Sequence, residues 1–206
     1  EQDIVKLASN ENPLGISPLA KKAIEKSLID IERYPDGNGF YLKRAICKKY
    51  KLQSSEIILG NGSNDVLELI ARTFLSCDDE AIYSEHAFAV YPLVVKATGA
   101  KGIEVPAVNF AHNLDGFKKA ITNKTKVIFI ANPNNPTGTL VSKIEIKNFL
   151  NDIPTSIIVV LDEAYDEYLT EEHKSVAFSW LSNFENLIIS RSFSKAYGLA
   201  GLRVGF

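Results

Sequence analysis

Three runs of this chain are apolar at every position: Val127-Ile128-Phe129-Ile130, Ile157 through Leu161, and Leu187-Ile188-Ile189. A strand with one face in water alternates apolar and polar residues. A continuous Val/Ile run belongs to a strand covered on both faces. Ile57-Ile58-Leu59 and Ala81-Ile82-Tyr83 are short runs of the same kind, and Ile103–Val105, interrupted by Glu104, also reads as a strand. Between them the apolar spacing is helical. Ser63–Leu75 turns Val66, Leu67, Ile70 and Phe74 to one side. Phe88–Thr98 is helical, broken or begun near Pro92. Leu114–Ile121 follows. Ser142–Leu150 opens on a capping box, Ser142 with Glu145. Helices alternating with buried strands predict an α/β fold: three layers, α/β/α, around a mostly parallel sheet with right-handed crossovers.

The first sixth of the chain reads differently. Residues 1–16 are rich in polar groups, Pro and Gly, which predicts an extended arm. Ser17-Pro18 then opens a helix, with Ser as N-cap and Pro in the first turn. Leu19, Ala20, Ala23, Ile24, Leu28 and Ile31 form its apolar face. Arg33-Tyr34-Pro35-Asp36-Gly37-Asn38-Gly39 is turn-rich, and Phe40–Tyr50 is a second helix. The chain stops at Val204-Gly205-Phe206, inside what reads as a further strand. It contains no methionine, so a fragment of a longer protein is expected.

Composition narrows the class. The chain has 206 residues, 46% of them hydrophobic, with 23 basic and 25 acidic side chains. These charges are mixed along the sequence, so no basic stripe suggests nucleic acid or an anionic membrane. No apolar run approaches the roughly 18 residues that span a bilayer, and there is no secretory signal. Cys47 and Cys77 have neither metal-ligand spacing nor a disulfide framework, so the cytoplasm is the expected compartment. His86, His112 and His173 are scattered and read as surface or capping residues; Trp180 reads as core.

Polar clusters stand where these strands end, and ligands of parallel sheets bind beyond the carboxyl ends of the strands. Gly60-Asn61-Gly62-Ser63-Asn64-Asp65 joins a strand to a helix. Its glycines admit an anion to a helix N-terminus, although a helix merely capped by Ser63 would look the same. Asp65 stands where a dinucleotide fingerprint needs its third glycine, and no P-loop sequence exists. Asn132-Pro133-Asn134-Asn135-Pro136-Thr137-Gly138 is a rigid turn, in which Asn135 can donate two hydrogen bonds. Asp162-Glu163-Ala164-Tyr165 ends an apolar run, so Asp162 is desolvated and needs a cationic or donor partner. The bland reading is a capping Asp with a packing Tyr. In Ser192-Phe193-Ser194-Lys195, with Arg203 beyond, hydroxyls and a guanidinium suit a phosphate, and the lysine suits a Schiff base. A Schiff-base lysine with an acidic partner for a pyridine nitrogen is the signature of pyridoxal phosphate.

On these motifs, together with Ala8-Ser9-Asn10-Glu11-Asn12-Pro13 and Arg33-Tyr34-Pro35-Asp36, the sequence resembles the fold-type-I pyridoxal phosphate aminotransferases, and within them the histidinol-phosphate aminotransferase branch. The resemblance covers nearly the whole chain. It implies that Lys195 is the Schiff-base and proton-transfer lysine, and that Asp162 pairs with the pyridine nitrogen. Asn135 and Tyr165 would bond the ring's 3′ oxygen. Ser63, Asn64, Ser192, Ser194 and Arg203 would hold the phosphate. Phe88 would stack on the ring, with Tyr91 as the alternative, and Tyr34 would reach the phosphate in the partner of a homodimer. It implies residues 1–32 as arm and first helix and 33–206 as the large cofactor-binding domain, with a small C-terminal domain beyond Phe206 that carries the carboxylate-binding arginine. The implied reaction is transamination between histidinol phosphate (giving imidazole acetol phosphate) and 2-oxoglutarate (giving glutamate) in histidine biosynthesis. Aromatic amino acid transamination or phosphothreonine decarboxylation on the same fold are the alternatives, and a non-catalytic phospholigand-binding module is the remaining one. Leu14 stands where some members place a tyrosine near the substrate.

Overall fold

The structure, a computed structural model, describes residues 5–206. Residues 1–4, the start of the expected arm, lie outside the described residues. Five strands form one sheet: β1 (Glu80–Ser84), β2 (Lys101–Val105), β3 (Thr125–Ala131), β4 (Ile158–Asp162) and β5 (Leu187–Ser190). Their order is β2-β1-β3-β4-β5, and every neighbouring pair is parallel. Apart from Ile57-Ile58-Leu59, the strands expected from the apolar runs are present within a residue or two.

Six helices accompany them: α1 (Pro18–Ser27), α2 (Phe40–Tyr50), α3 (Ser63–Phe74), α4 (Val90–Ala97), α5 (Leu114–Ala120) and α6 (Lys143–Asp152). Successive side chains of a strand point to opposite faces, and β3–β5 serve two separate apolar layers. Ile128, Ile130, Val159, Leu161, Leu187 and Ile189 pack with Phe117 of α5, Ile146 and Phe149 of α6, and Trp180. Val127, Phe129, Ala131, Val160 and Ile188 pack with Val66, Leu67 and Ile70 of α3 and with Tyr91 and Val94 of α4. This is the three-layer arrangement, and each fully buried aliphatic or aromatic side chain contributes roughly 1.5–3 kcal/mol to it. The expected capping box of α6 is formed: the Ser142 hydroxyl accepts from Glu145 N, and the Glu145 carboxylate accepts from Ser142 N.

Four expectations need correction. Ile57-Ile58-Leu59 is not a sheet strand. It follows a 3-10 turn at Ser54–Glu56, and its end forms an isolated antiparallel bridge, Gly60 with Gly205. Val204-Gly205-Phe206 likewise forms only isolated bridges: Gly205 exchanges both its backbone bonds with Gly60, while Val204 and Phe206 bond Phe193 and Arg191 on the other side. The apolar face of α1 is left largely uncovered: the helix has no buried residue, Ala20 and Ile24 are only partly covered, and Leu19 is 81% exposed. Ser17 occupies the N-cap, but its side chain makes no capping bond; Pro18 has no N–H to satisfy there.

The register fixes where chemistry can sit. Ala131 pairs with Asp162, and Asp162 with Ser190, so the last residues of β3, β4 and β5 form one row across the sheet. The motif loops leave from that row.

Candidate active site

The turn before α3 shows how backbone geometry clears a place for an anion. Gly62 is the N-cap of α3 at φ +89°, and no side chain caps the helix. Its first N–H groups are therefore left for a ligand. Asp65 turns back to accept from Asn61 N at 2.9 Å. A Cβ on Gly62 would run into the Arg203 guanidinium, and one on Gly205 would run into Ser63 N. Both glycines let these groups approach. Arg203 Nη1 donates to Ser194 Oγ at 3.4 Å and to Ala200 O at 3.2 Å, and Ser194 N donates to Ser192 Oγ at 3.0 Å. The alternative reading, a helix capped by Ser63, does not hold, since Ser63 is the first helical residue rather than the cap.

Asp162 closes β4 and is buried. Its Oδ2 accepts from the Tyr91 hydroxyl at 2.8 Å, and its Oδ1 accepts from Ala164 N at 3.3 Å. Burial pushes its pKa up to about 6, against the opposing pull of those two donors. Tyr91 is itself fully buried and stacked on Phe129, with centroids 4.9 Å apart. It holds the carboxylate from behind and is not among the residues lining the cavity that Asp162 faces, which speaks against Tyr91 as the stacking ring. Phe88, the preferred residue, faces the cavity with its ring edge-on to Tyr91.

Lys195 Nζ donates to Ser9 O at 2.9 Å and lies 5.6 Å from the centre of the Tyr165 ring. Burial lowers its pKa; Glu11 opposes this and Arg203 adds to it. The Tyr165 hydroxyl accepts from Asn10 Nδ2 at 2.9 Å, and burial is the main cause that raises its pKa. The Asn-Pro loop is pinned from inside. Asn132 exchanges two hydrogen bonds with the Val141 backbone, and Asn134 donates to His86 O and Thr137 Oγ1. Asn135 is thereby held with its side chain on the cavity wall.

One cavity of about 790 Å³ gathers these residues. Ser63, Asn64, Phe88, Asn135, Asp162, Tyr165, Ser192, Ser194, Lys195 and Arg203 all line it. Tyr34 does not; it is fully exposed. Among the described residues no group of His, Cys, Asp and Glu forms a metal cluster.

Sequence reasoning missed three features. Ser9, Asn10 and Glu11 of the arm line the cavity, a long-range contact with no local signal. His112, expected at the surface, is buried and joined to Ala131 O through Nε2 at 2.7 Å. Arg191 is 4% exposed and pairs with Glu163 at 2.6 Å, Asp166 at 2.9 Å and Glu167 at 3.2 Å. Period-2 alternation was the available signal here: Ser190 and Ser192 share a face, so Arg191 and Glu163 share the opposite one.

The geometry has close counterparts. Residues 2–206 match the family model for aminotransferase class I and II. A histidinol-phosphate aminotransferase of Methylobacillus flagellatus is 63% identical over 98% of this chain, which covers 55% of that protein. One from Idiomarina loihiensis is 58% identical over 100% of this chain and 56% of its own length. The chain thus spans a little over half the length of the curated relatives it matches. Among solved structures, the histidinol-phosphate aminotransferase of Sinorhizobium meliloti in complex with pyridoxal-5′-phosphate superposes with a TM-score of 0.91 at 28% identity, over 96% of this chain and 54% of that one. An aromatic aminotransferase of Pyrococcus horikoshii superposes at 0.89 with 26% identity, over 100% of this chain and 58% of that one. The chain belongs to the class I and II aminotransferases.

Proposed function

We propose that the whole protein is a pyridoxal-phosphate-dependent aminotransferase that converts histidinol phosphate to imidazole acetol phosphate, with 2-oxoglutarate as acceptor. The observation that carries this reading is the placement of Lys195 and Asp162 on one cavity whose far end is an anion cradle. The donor set fits the group. Uncapped N–H groups of α3, Ser192, Ser194 and Arg203 suit a phosphate, Asp162 suits a ring nitrogen, Asn135 and Tyr165 suit a ring oxygen, and Phe88 offers a flat apolar face.

Pyridoxal phosphate, when bound, supplies a carbonyl for amines to condense with and an electron sink. The residues supply the rest. Lys195, whose pKa burial lowers, would supply the amine that condenses with that carbonyl. The same Nζ would be the base that moves the proton from the substrate's α-carbon. Asp162, fixed from behind by Tyr91, holds a proton on the ring nitrogen. Its raised pKa belongs to a carboxylate awaiting that cation, whose charge draws the carboxyl back to its ionised form. Arg203 and the α3 N-terminus meet the phosphate's charge.

The substrate assignment rests on the high identity to the two named relatives. The further proposals are a large domain from residue 33 onward completed by a small C-terminal domain, a homodimer with shared sites, and a cytoplasmic location. No helix among the described residues is long and apolar enough to cross a membrane. The test uses the full-length protein. Borohydride reduction with bound pyridoxal phosphate should fix the cofactor on the peptide containing Lys195, and Lys195→Ala should abolish it. Histidinol phosphate should be turned over with a higher kcat/KM than phenylalanine. A trapped cofactor in Lys195→Ala on this peptide overturns the site, and a preference for phenylalanine overturns the substrate.

A further inference from the structure

The loop that carries Lys195 leaves β5, passes Lys195 and returns through Leu199, whose N donates to Phe193 O at 3.1 Å. Across the top of this loop, side-chain bonds come from two sources. The arm supplies Ser9 O to Lys195 and Asn12 Nδ2 to Ala196 O at 2.9 Å. The body of the domain supplies Arg203 Nη1 to Ser194 Oγ at 3.4 Å before the lysine and, past the lysine, two bonds to the hydroxyl of Tyr197. That hydroxyl donates to Glu167 Oε1 at 3.3 Å and accepts from Lys49 Nζ of α2 at 2.6 Å. One phenol has one proton to give, and here it both gives and accepts.

Both partners are themselves placed. Glu167 Oε1 also accepts from Arg191 Nη1 at 3.2 Å, and Arg191 is locked by Glu163 and Asp166. Glu163 is the residue after Asp162. A continuous chain of charge-assisted bonds therefore starts beside the carboxylate, crosses under β5 and ends two residues past the lysine. Lys49 Nζ also sits 5.2 Å from the centre of the Tyr197 ring, and that ring lies 5.1 Å from Phe193. The ring packing is separate from the hydroxyl, so the two contributions can be tested apart.

We propose that Tyr197 is a positioning residue for Lys195: its hydroxyl, held between Glu167 and Lys49, ties the lysine-bearing loop to the strand end that carries Asp162. The tie itself needs no cofactor; its catalytic consequence rests on the aminotransferase reading above. A loop amine must meet a carbonyl within a few tenths of an ångström of productive geometry. In the arm Ser9 is exposed and Asn12 partly buried, and Arg203 reaches the loop before the lysine, so past Lys195 the phenol is the loop's side-chain tie to the body of the domain.

The test compares full-length Tyr197→Phe with wild type, with and without pyridoxal phosphate. Phe keeps the ring and removes both hydroxyl bonds. Amide hydrogen exchange is read in the peptide covering residues 193–199 and in peptides from β3 and β4. The expected result without cofactor is about tenfold faster exchange in the loop, the size of a lost charge-assisted bond, with the strands unchanged. With cofactor, kcat should fall about tenfold while KM for the amino donor stays put. Lys49→Met should speed loop exchange too, and should add nothing on top of Tyr197→Phe. Unchanged loop exchange, or an equal rise in loop and strands, would overturn the proposal, and so would additivity of the two variants. Failure of wild type to trap cofactor on Lys195 would overturn the aminotransferase reading and leave the tie to stand or fall on the exchange data.

Discussion

Asp162 is a buried carboxylate with two donors and no cation in the free chain. Its pKa, about 6, stands above the ordinary 3.8, so the folded state binds its proton more tightly than the unfolded chain does. The stability it contributes is present below about pH 4 and is lost as pH rises through 6. In cofactor-free full-length protein, Asp162→Asn should thus become more stable than wild type as pH rises from 4 to 7, by on the order of 2–3 kcal/mol. Denaturant melts across that range check it; a pH-independent difference would contradict it. With cofactor the order reverses in function, and Asp162→Asn should bind but lose most of its transamination rate. The amide fills the volume but carries no charge to hold the ring nitrogen's proton; wild-type turnover would place that partner elsewhere. The position of Asp162 was legible in the sequence because a charge that ends a run of five apolar residues has few places to go. Its support was not legible. Tyr91 lies 71 residues away in the chain, and local spacing says nothing about which hydroxyl a fold will bring behind a carboxylate.

Helix α3 shows the same division at the scale of an element. Of its apolar stripe, readable from spacing, Val66, Leu67 and Ile70 are buried, while Phe74 at the last turn is 38% exposed. Its N-terminus was readable as a turn, but whether Ser63 capped it or left it open depended on Gly62 and Arg203 meeting in space. The strands were legible where apolar runs were continuous. They were misread at Ile57–Leu59, where three apolar residues find one glycine bridge in place of a ladder. Gly62→Ala tests the open N-terminus. An L-residue at φ +89° is strained by roughly 1–2 kcal/mol, and its Cβ would displace the guanidinium of Arg203. The variant should fold with a modest loss of stability and bind pyridoxal phosphate at least tenfold more weakly, as one charge-assisted contact is lost. An absorbance titration measures this. Unchanged affinity would mean that Arg203 does not hold the phosphate.

The segment from α1 to α2 bears on the molecule as a whole. Leu19, Ile29, Ile31, Tyr34 and Tyr41 are each at least 75% exposed, although the apolar spacing of α1 predicts a face that one chain ought to bury. Exposed apolar surface on this scale marks contact with something else, and in the proposed homodimer Tyr34 would reach the partner's cofactor phosphate. Local packing of Tyr34 against α2 is excluded by its full exposure. The turn around it is held without it: Asp36 accepts from Phe40 N at 2.6 Å and from Asn38 N at 3.1 Å. Tyr34→Phe removes one hydroxyl, and the loss of a bond to phosphate should weaken cofactor binding by about 1.5–3 kcal/mol. Mixed dimers decide whose phosphate it serves. In a dimer of one Tyr34→Phe chain and one Lys195→Ala chain, a shared site puts both defects together and leaves the other site intact. That intact site should bind cofactor with wild-type affinity and turn over at the wild-type rate per site. If instead the site with Lys195 shows the weakened affinity of the Tyr34→Phe homodimer, the tyrosine serves its own subunit, and the exposed segment must be covered in some other way.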